Sequence, residues 1–264
     1  MILRRLTKHV KDQNWFAVGL DFVIVVIGVG VALMGQQWLS DRQERADMRV
    51  AEAAVQIDLF TSYFSALERV AVADCRKEAY AAIAAQLLET GETWIPMTLV
   101  DETSSEGNVL PRVLRSPLKS WGSRNWDAGL ARGTFNQMDD ERRSAFDNLF
   151  QQTEYAAVTQ SEIFTLQSRM KKLAVTTTIS PDDRSRYYDI LGELDDKSAL
   201  LEMFSSGIIR QIGAIGFELP DEFVSGELER LAGQNAFRET YFGACYVPME
   251  FSLLSSNASA EEAP

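Results

Sequence analysis

The clearest pattern in the chain is an uninterrupted apolar run close to its beginning. Residues 14–38 read NWFAVGLDFVIVVIGVGVALMGQQW, and between Trp15 and Met34 the one charged residue is Asp21. A helix needs about 20 predominantly apolar residues to cross the hydrocarbon core of a bilayer. Trp15 and Trp38 stand where interfacial aromatic side chains are expected. The pattern predicts a transmembrane anchor over 14–38.

Two other interpretations of this run are a buried helix of a soluble protein and a cleaved signal peptide. No other segment is comparably apolar, which argues against the first. The apolar region of a signal peptide is about 7–15 residues long and is followed by a small-residue cleavage site. Here the run is longer, and its small pair, Gly30 and Ala32, lies inside it. The sequence therefore favours an uncleaved anchor.

The residues before the anchor, 1–13, predict a short amphipathic helix on an anionic membrane surface. Apolar residues of MILRRLTKHVKDQ can share one helical stripe, whereas its basic residues point elsewhere, as in interfacial helices. A basic flank without fixed structure is the alternative. Four basic residues precede the anchor: Arg4, Arg5, Lys8 and Lys11.

After the anchor, the periodicity predicts a helical body over 39–254. No Gly or Pro occurs from 39 to 90, and an apolar residue recurs there every three or four positions, the period of an amphipathic helix. We expect the anchor to continue directly into this stalk, followed by a second helix over 79–88. The predicted apolar stripe of the stalk consists of Val50, Ala54, Ile57, Phe60, Phe64, Leu67 and Ala71.

The rest of the body alternates one irregular insertion with further helical patterns. The insertion, 91–122, contains three prolines and a cluster of Ser, Thr and Gly. Asp139 and Ser180 are predicted N-caps, the latter followed by proline in the first turn. The predicted fold class is mostly α, with one transmembrane helix continuing into a helical-bundle domain. Helical patterns cover 125–135, 139–175, 181–215 and 220–242, and a flexible tail is expected over 255–264.

Composition and charge exclude several functions. The 264 residues include 26 Lys and Arg against 38 Asp and Glu, a net charge of −12. Nucleic acid is not an expected partner, because phosphate binding needs a basic face. One His and two Cys are too few for a closed Cys/His zinc site. No GxSxG, Walker A, HExxH or CxxC motif occurs, so we expect no enzyme activity and no cofactor or metal.

Acidic and aromatic clusters have structural explanations. None of the acidic pairs has the spacing of a calcium loop, and helix caps or solvated faces account for them. The three tryptophans near the insertion either pack the body or line a groove. They are Trp94, Trp121 and Trp126.

Cys75 and Cys245 form an even pair, 170 positions apart. Disulfides persist in oxidising compartments, and a bridge over so long a loop would stabilise the fold by about 3–5 kcal/mol. Two unrelated buried thiols are the alternative. The positive-inside rule weakly favours a cytoplasmic N-terminus, since four basic residues precede the anchor and three follow it. These features together predict a periplasmic body.

Three residues of the anchor suggest contact with another membrane helix. Asp21 is costly in a bilayer and is expected to face protein, headgroups or water. Gly28 and Ala32 form a small-xxx-small step that allows close helix approach, although small residues are common in membrane helices.

Two segments resemble a group of uncharacterised bacterial membrane proteins. The first is RRLTKHVKDQNWFAVGLDFVIVVIGVGVALMGQQW, with a basic helix and a valine-rich anchor that carries Asp near its start. The second is WDAGLARGTFNQMDDERRSAFDNLF, with an aromatic, a Leu, a small–Gly pair and an acid-capped helix. The chain departs from the group at two places. It has Gln36-Gln37 where the anchor of the group usually ends in Asn-rich polar residues, and it has Phe150 where the helix of the group often carries paired tyrosines. The resemblance implies a bacterial single-anchor protein and no particular activity.

From these features we expect a structural or accessory subunit of the bacterial inner membrane. Its expected partners are the lipid bilayer and either a second copy or a larger assembly of integral membrane subunits, such as a respiratory or photosynthetic complex. The alternative is a periplasmic ligand-sensing helical module.

Overall fold

The computed structural model of the protein describes residues 15–96, 119–216 and 221–250, and most of these residues are helical. The mostly-α prediction is confirmed. The chain divides into two compact units, Met1–Val50 and Ala51–Pro264. The predicted surface helix 1–13 and tail 255–264 lie outside the described residues, as does most of the insertion 91–122.

The first helix, α1, spans Trp15–Ala71 and contributes residues to both units. Among the described residues it is the one helix long and apolar enough to cross a membrane, with a mean hydropathy of 1.9 in its most apolar stretch. No residue of that stretch is buried. From Leu20 to Leu39 every large apolar side chain is at least 49% exposed.

Between Val55 and Ala71, the buried face of α1 is broader than the predicted apolar stripe and contains more polar residues. Val50 and Ile57 of that stripe are 72% and 53% exposed, whereas Val55, Leu59 and Tyr63 are buried. The stripe was therefore wrong at two positions. The reason is that polar side chains on the same turns are buried with hydrogen-bond partners, so hydrophobicity alone does not mark the inner face. The buried polar residues of α1 are Gln56, Asp58, Ser62, Ser65, Glu68 and Arg69.

Helix α1 ends at Ala71, and α2 spans Ala73–Leu87. Val72 between them has φ −104° and ψ 6°, outside the α-helical region. The second helix therefore begins six residues earlier than predicted. Strand β1 (Thr93–Trp94) then pairs antiparallel with β2 (Thr177–Thr178).

Helix α3 spans Arg124–Arg132 and is stopped by Gly133, whose φ of 70° is left-handed, a conformation that glycine adopts without strain. The turn folds Phe135 back onto α3. Its ring lies against Gly129, where a Cβ atom would overlap it, and stacks on Trp126 with centroids 4.6 Å apart.

Helices α4 (Asp140–Arg169) and α5 (Pro181–Ile215) pack against each other, and α2 also packs on α5. Both predicted N-caps are present. The Asp139 carboxylate accepts from two backbone N–H groups of the first turn, and the Ser180 hydroxyl accepts from the backbone N–H of Asp183. A 3₁₀ turn, Lys171–Ala174, follows α4. Helix α6 spans Asp221–Phe242 and leads into a second 3₁₀ turn, Gly243–Cys245.

Candidate functional site

The apolar segment of α1 carries the residues predicted to contact another membrane helix. A Cβ atom added at Gly28 would meet nothing within 4 Å, and Ala32 is exposed. Trp38 is 57% exposed, with the Arg42 guanidinium 5.7 Å from its ring centre. The side chains of Trp15 and Asp21, and the residues Arg4, Arg5, Lys8 and Lys11, lie outside the part of the chain that is described.

The predicted cysteine pair lies at disulfide distance. Cys75, in the first turn of α2, and Cys245, in the turn after α6, have Cα atoms 4.9 Å apart. The backbone N–H of Val247 donates to the carbonyl of Ala71 at 3.0 Å. The segment that follows α6 is therefore fastened to the junction of α1 and α2.

A cluster of buried charges lies at the same junction. The carboxylate of Glu68, whose side chain is 5% exposed, contacts the ammonium of Lys119 and the guanidinium of Arg238. Both cations, together with Arg230, lie 5.3–5.6 Å from the ring centre of Phe64. This charge cluster joins α1, α6 and the chain before α3.

Burial changes the ionisation of these groups. Desolvation, together with repulsion by Arg238 and Arg230, lowers the pKa of Lys119 to about 8, while its contact with Glu68 acts in the opposite direction. Burial also lowers the pKa of Arg238. Burial and the nearby Arg76 lower the pKa of Arg69 to about 10. These groups all have partners within the fold, so the cluster is a structural junction.

Helix α4 is tied to the charge cluster through Gln160. Its amide oxygen accepts from the guanidinium of Arg69 at 2.5 Å and from the backbone N–H of Lys119 at 3.1 Å. Its amide nitrogen donates to the carbonyl of Lys119 at 3.0 Å. Gln160 therefore fixes the position at which the chain enters α3.

A cleft of about 600 Å³ lies between α3 and α4. We call it the α3/α4 cleft. Its aromatic wall includes Trp126, which is 1% exposed and stacks on Phe150 as well as on Phe135. Three carboxylates face the cleft, from Asp127, Asp147 and Glu154. The other lining residues are Trp121, Ser123, Leu130, Asn148, Gln151, Thr153 and Ala157.

Two of the three carboxylates are held in place by neighbours. The indole Nε1 of Trp126 donates to Oδ1 of Asp147 at 3.2 Å, and the hydroxyl of Ser123 donates to Oδ2 of Asp127 at 2.9 Å. The indole N–H of Trp121 is buried and has no acceptor among the described residues. Trp94 and Trp126, each 1% exposed, pack the body, and the indole of Trp94 donates to the carbonyl of Leu173 at 2.8 Å. Trp121 lines the cleft.

A second cleft, of about 460 Å³, adjoins the C-terminal end of α2. The guanidinium of Arg184, a residue that is 8% exposed, donates there to the carbonyls of Gln86 and Gly91. A cation at the end of a helix satisfies carbonyls that have no partner in the helix. Arg184 therefore stabilises the end of α2.

The sequence interpretation missed the carboxylates of the α3/α4 cleft and the charge cluster. Asp58, Glu68 and Arg69 interrupt the apolar face of α1, and charges in such positions indicate buried pairs. The carboxylates of the cleft give no such signal, because exposed acids are common on helices. Within the described ranges, no group of three or more His, Cys, Asp or Glu residues could hold a metal ion.

The chain matches no family model, no curated protein and no solved structure. The resemblance to uncharacterised bacterial single-anchor proteins therefore stays a prediction.

Proposed function

We propose that this protein is a single-pass accessory subunit of the bacterial inner membrane, with a cytoplasmic N-terminus and a periplasmic helical-bundle domain. One observation carries the proposal: the large apolar side chains from Leu20 to Leu39 are all exposed. Soluble proteins rarely expose so large a contiguous apolar surface. A bilayer would cover it, since the segment is long enough to span the hydrocarbon core.

A cleaved signal peptide is the main competing interpretation of this segment. Its small pair, Gly30 and Ala32, lies within α1, which continues as one helix to Ala71. The residues that follow the apolar run, Gln36 to Leu39, are all large, whereas signal peptidase sites need small side chains. These features support a retained anchor.

The cysteine pair supports a periplasmic domain. Cys75 and Cys245 lie at disulfide distance, and such bonds persist in the bacterial periplasm but are rare in the cytoplasm. The basic residues before the anchor favour the cytoplasmic side for the N-terminus.

The accessory role follows from the open surface of α1. Gly28 and Ala32 are one turn apart and leave room for the backbone of a second helix. Asp21, in the same helix, would be stabilised by a polar partner in the membrane. We infer that α1 associates with other integral membrane subunits or with a second copy of this chain.

Purification from native membranes in mild detergent tests this role. The expected result is a discrete assembly of fixed stoichiometry that Asp21→Leu or Gly28→Leu releases, whereas Val23→Leu, on the opposite face of the helix, leaves it intact. A wild-type chain that migrates alone as a monomer would contradict the proposal.

A second candidate function, a ligand-sensing module, is favoured by one observation. The α3/α4 cleft has the volume of small-molecule sites, about 300–1,000 Å³, and combines aromatic walls with polar groups.

A further inference from the structure

A line of residues runs along α1 at the spacing of a coiled coil. From Val25 to Val50 its members are alternately four and three residues apart, which is the spacing of the a and d positions of a heptad repeat. All of them belong to the first compact unit, Met1–Val50. We call this line the α1 seam; it consists of Val25, Val29, Ala32, Gln36, Leu39, Gln43, Ala46 and Val50.

The α1 seam is uncovered along its whole length. Ala46 is half-buried, and the other seven residues of the seam are exposed. Val50, at 72% exposure, lies twelve residues beyond the interfacial Trp38, about 18 Å along the helix axis. The headgroup layer is about 5–8 Å thick on each side of a bilayer. Lipid therefore covers the anchor but does not reach Val50, so this end of the seam is open to a protein partner.

Between residues 39 and 50 the apolar side chains follow the seam and the charged ones avoid it. Three of the four apolar residues of this stretch, Leu39, Ala46 and Val50, belong to the seam, and the fourth is the half-buried Met48. Such a division between apolar a and d positions and charged outer positions is typical of a helix that pairs with another helix. The charged residues at the outer positions are Asp41, Arg42, Glu44, Arg45, Asp47 and Arg49.

The charges beside the seam favour a second copy of this chain as the partner. Arg42 occupies a g position, and Asp47 occupies the e position of the next heptad. In a parallel pair of helices these two positions lie side by side across the seam, so Arg42 of each copy meets Asp47 of the other. Both side chains are exposed. No like charges meet at the other g and e positions between residues 28 and 50.

Two glutamines of the seam also suit an identical partner. Gln36 and Gln43 are seven residues apart, and both occupy a positions. In a parallel pair in register, each side-chain amide faces the same amide of the other copy, and an amide can both donate and accept. Polar residues at a positions fix the register of a coiled coil, and glutamine amides also join helices within membranes.

We propose that α1 pairs with α1 of a second copy through the α1 seam, as a parallel dimer in register. The bilayer supports this arrangement, because anchored copies share one orientation and one depth. The inference rests on the proposed function and names the partner of its anchor helix, a second copy of this chain.

Cysteine cross-linking of the full-length chain in bacterial membranes tests the proposal. Ala46→Cys and Val50→Cys each place a thiol in the seam. Arg45→Cys is the matched control, since it lies one residue before Ala46 but on the outer face of the helix. The unaltered chain sets the background that Cys75 and Cys245 contribute.

We expect a disulfide-linked dimer on non-reducing gels for both seam variants, at a yield at least fivefold above that of Arg45→Cys. An equal or greater yield for Arg45→Cys would overturn the proposal. If no variant cross-links but the chain purifies in a fixed assembly with different membrane subunits, the dimer is overturned and the accessory role is kept. If no variant cross-links and the chain migrates alone as a monomer, both are overturned.

Charge reversal tests the contact between Arg42 and Asp47. Arg42→Asp or Asp47→Arg alone places like charges at both symmetric contacts. Each variant should therefore weaken dimerisation about fivefold or more, measured by equilibrium sedimentation in mild detergent. A mixture of the two variants should restore pairing between them, because opposite charges then meet again. Failure of the mixture to restore pairing would overturn the parallel register.

Discussion

The guanidinium of Arg76 donates to the carboxylate of Glu202 at 2.8 Å, which joins α2 to α5 one residue after the disulfide position Cys75. Lys77 donates to the second oxygen of the same carboxylate at 3.2 Å. Both side chains of the Arg76–Glu202 pair are mostly buried, at 13% and 25% exposure. The pair lies where α2 leaves the disulfide, so it supports the packing of α2 on α5.

Glu202→Gln should lower the free energy of unfolding at pH 7 by about 1–2 kcal/mol, because the charged hydrogen bonds are lost. Burial disfavours the charged form of Glu202, but the hydrogen bonds from Arg76 and Lys77 outweigh it and lower the pKa of the carboxyl below 4.5. The folded protein therefore binds this proton less readily than the unfolded chain. The contribution of the Glu202 charge to the free energy of unfolding is therefore complete above pH 4.5, and it disappears as the pH falls through the lowered pKa.

Denaturant unfolding of the wild type and the variant at several pH values measures this contribution. The two stabilities should converge below pH 4.5. Glu162→Gln, which removes an exposed ion pair with Lys197, is the control and should change stability by less than about 0.5 kcal/mol at pH 7. If the difference in free energy of unfolding between the wild type and Glu202→Gln did not change with pH, the prediction would be contradicted.

Replacing both cysteines, Cys75→Ala with Cys245→Ala, should reduce stability by about 3–5 kcal/mol, since the bond closes a loop of 170 residues. Thermal unfolding with and without a thiol reductant provides the measurement. Reductant should lower the melting temperature of the wild type and leave that of the variant unchanged. An equal response of both proteins would show that the cysteines do not stabilise the fold.

Two glycine substitutions should have opposite effects. Gly129→Ala places a methyl group into the ring of Phe135, and displacing this buried ring should cost about 1–3 kcal/mol. Gly192→Ala, within α5, meets nothing within 4 Å and should stabilise by about 0.5–1 kcal/mol, because alanine is the better helix former. Chemical denaturation of both variants compares them directly. Stabilisation by Gly129→Ala would contradict the packing of α3.

Glu68→Gln should destabilise the protein by about 3–5 kcal/mol, because it leaves two largely buried cations, Lys119 and Arg238, without their common carboxylate. Glu239→Gln, at an exposed position on α6, is the control and should have an effect below about 0.5 kcal/mol. Similar unfolding curves for Glu68→Gln and the wild type would exclude Glu68 as an essential part of the charge cluster.

The sequence was sufficient to predict the helices that carry strong local signals. Asp139 and Ser180 start α4 and α5 as predicted, because capping depends on side chains within three residues. The start of α2 was placed six residues late, because no Gly or Pro marks the break at Val72. The tertiary hydrogen bond there, from the backbone N–H of Val247 to the carbonyl of Ala71, has no local signal in the sequence.

The inner face of α1 and the candidate sites depended on contacts between distant residues. Val50 and Ile57 fit the apolar period but are exposed, while Glu68 is buried because Lys119 and Arg238 supply its counter-charges. The α3/α4 cleft likewise brings Asp127 together with Asp147 and Glu154. No local sequence pattern indicates which distant charged residues lie together in the fold. The two cysteines are different, because an even pair with no other cysteine left only one possible bridge, between Cys75 and Cys245.

The topology of the full-length chain in bacterial cells tests the central claim most directly. Membranes are washed with alkaline carbonate, and spheroplasts are treated with protease before and after lysis of the inner membrane. The account predicts that the chain stays in the washed membranes and that protease added to intact spheroplasts digests the body after residue 39. Release by carbonate, or protection of the body until the membrane is lysed, would contradict a membrane-anchored periplasmic protein.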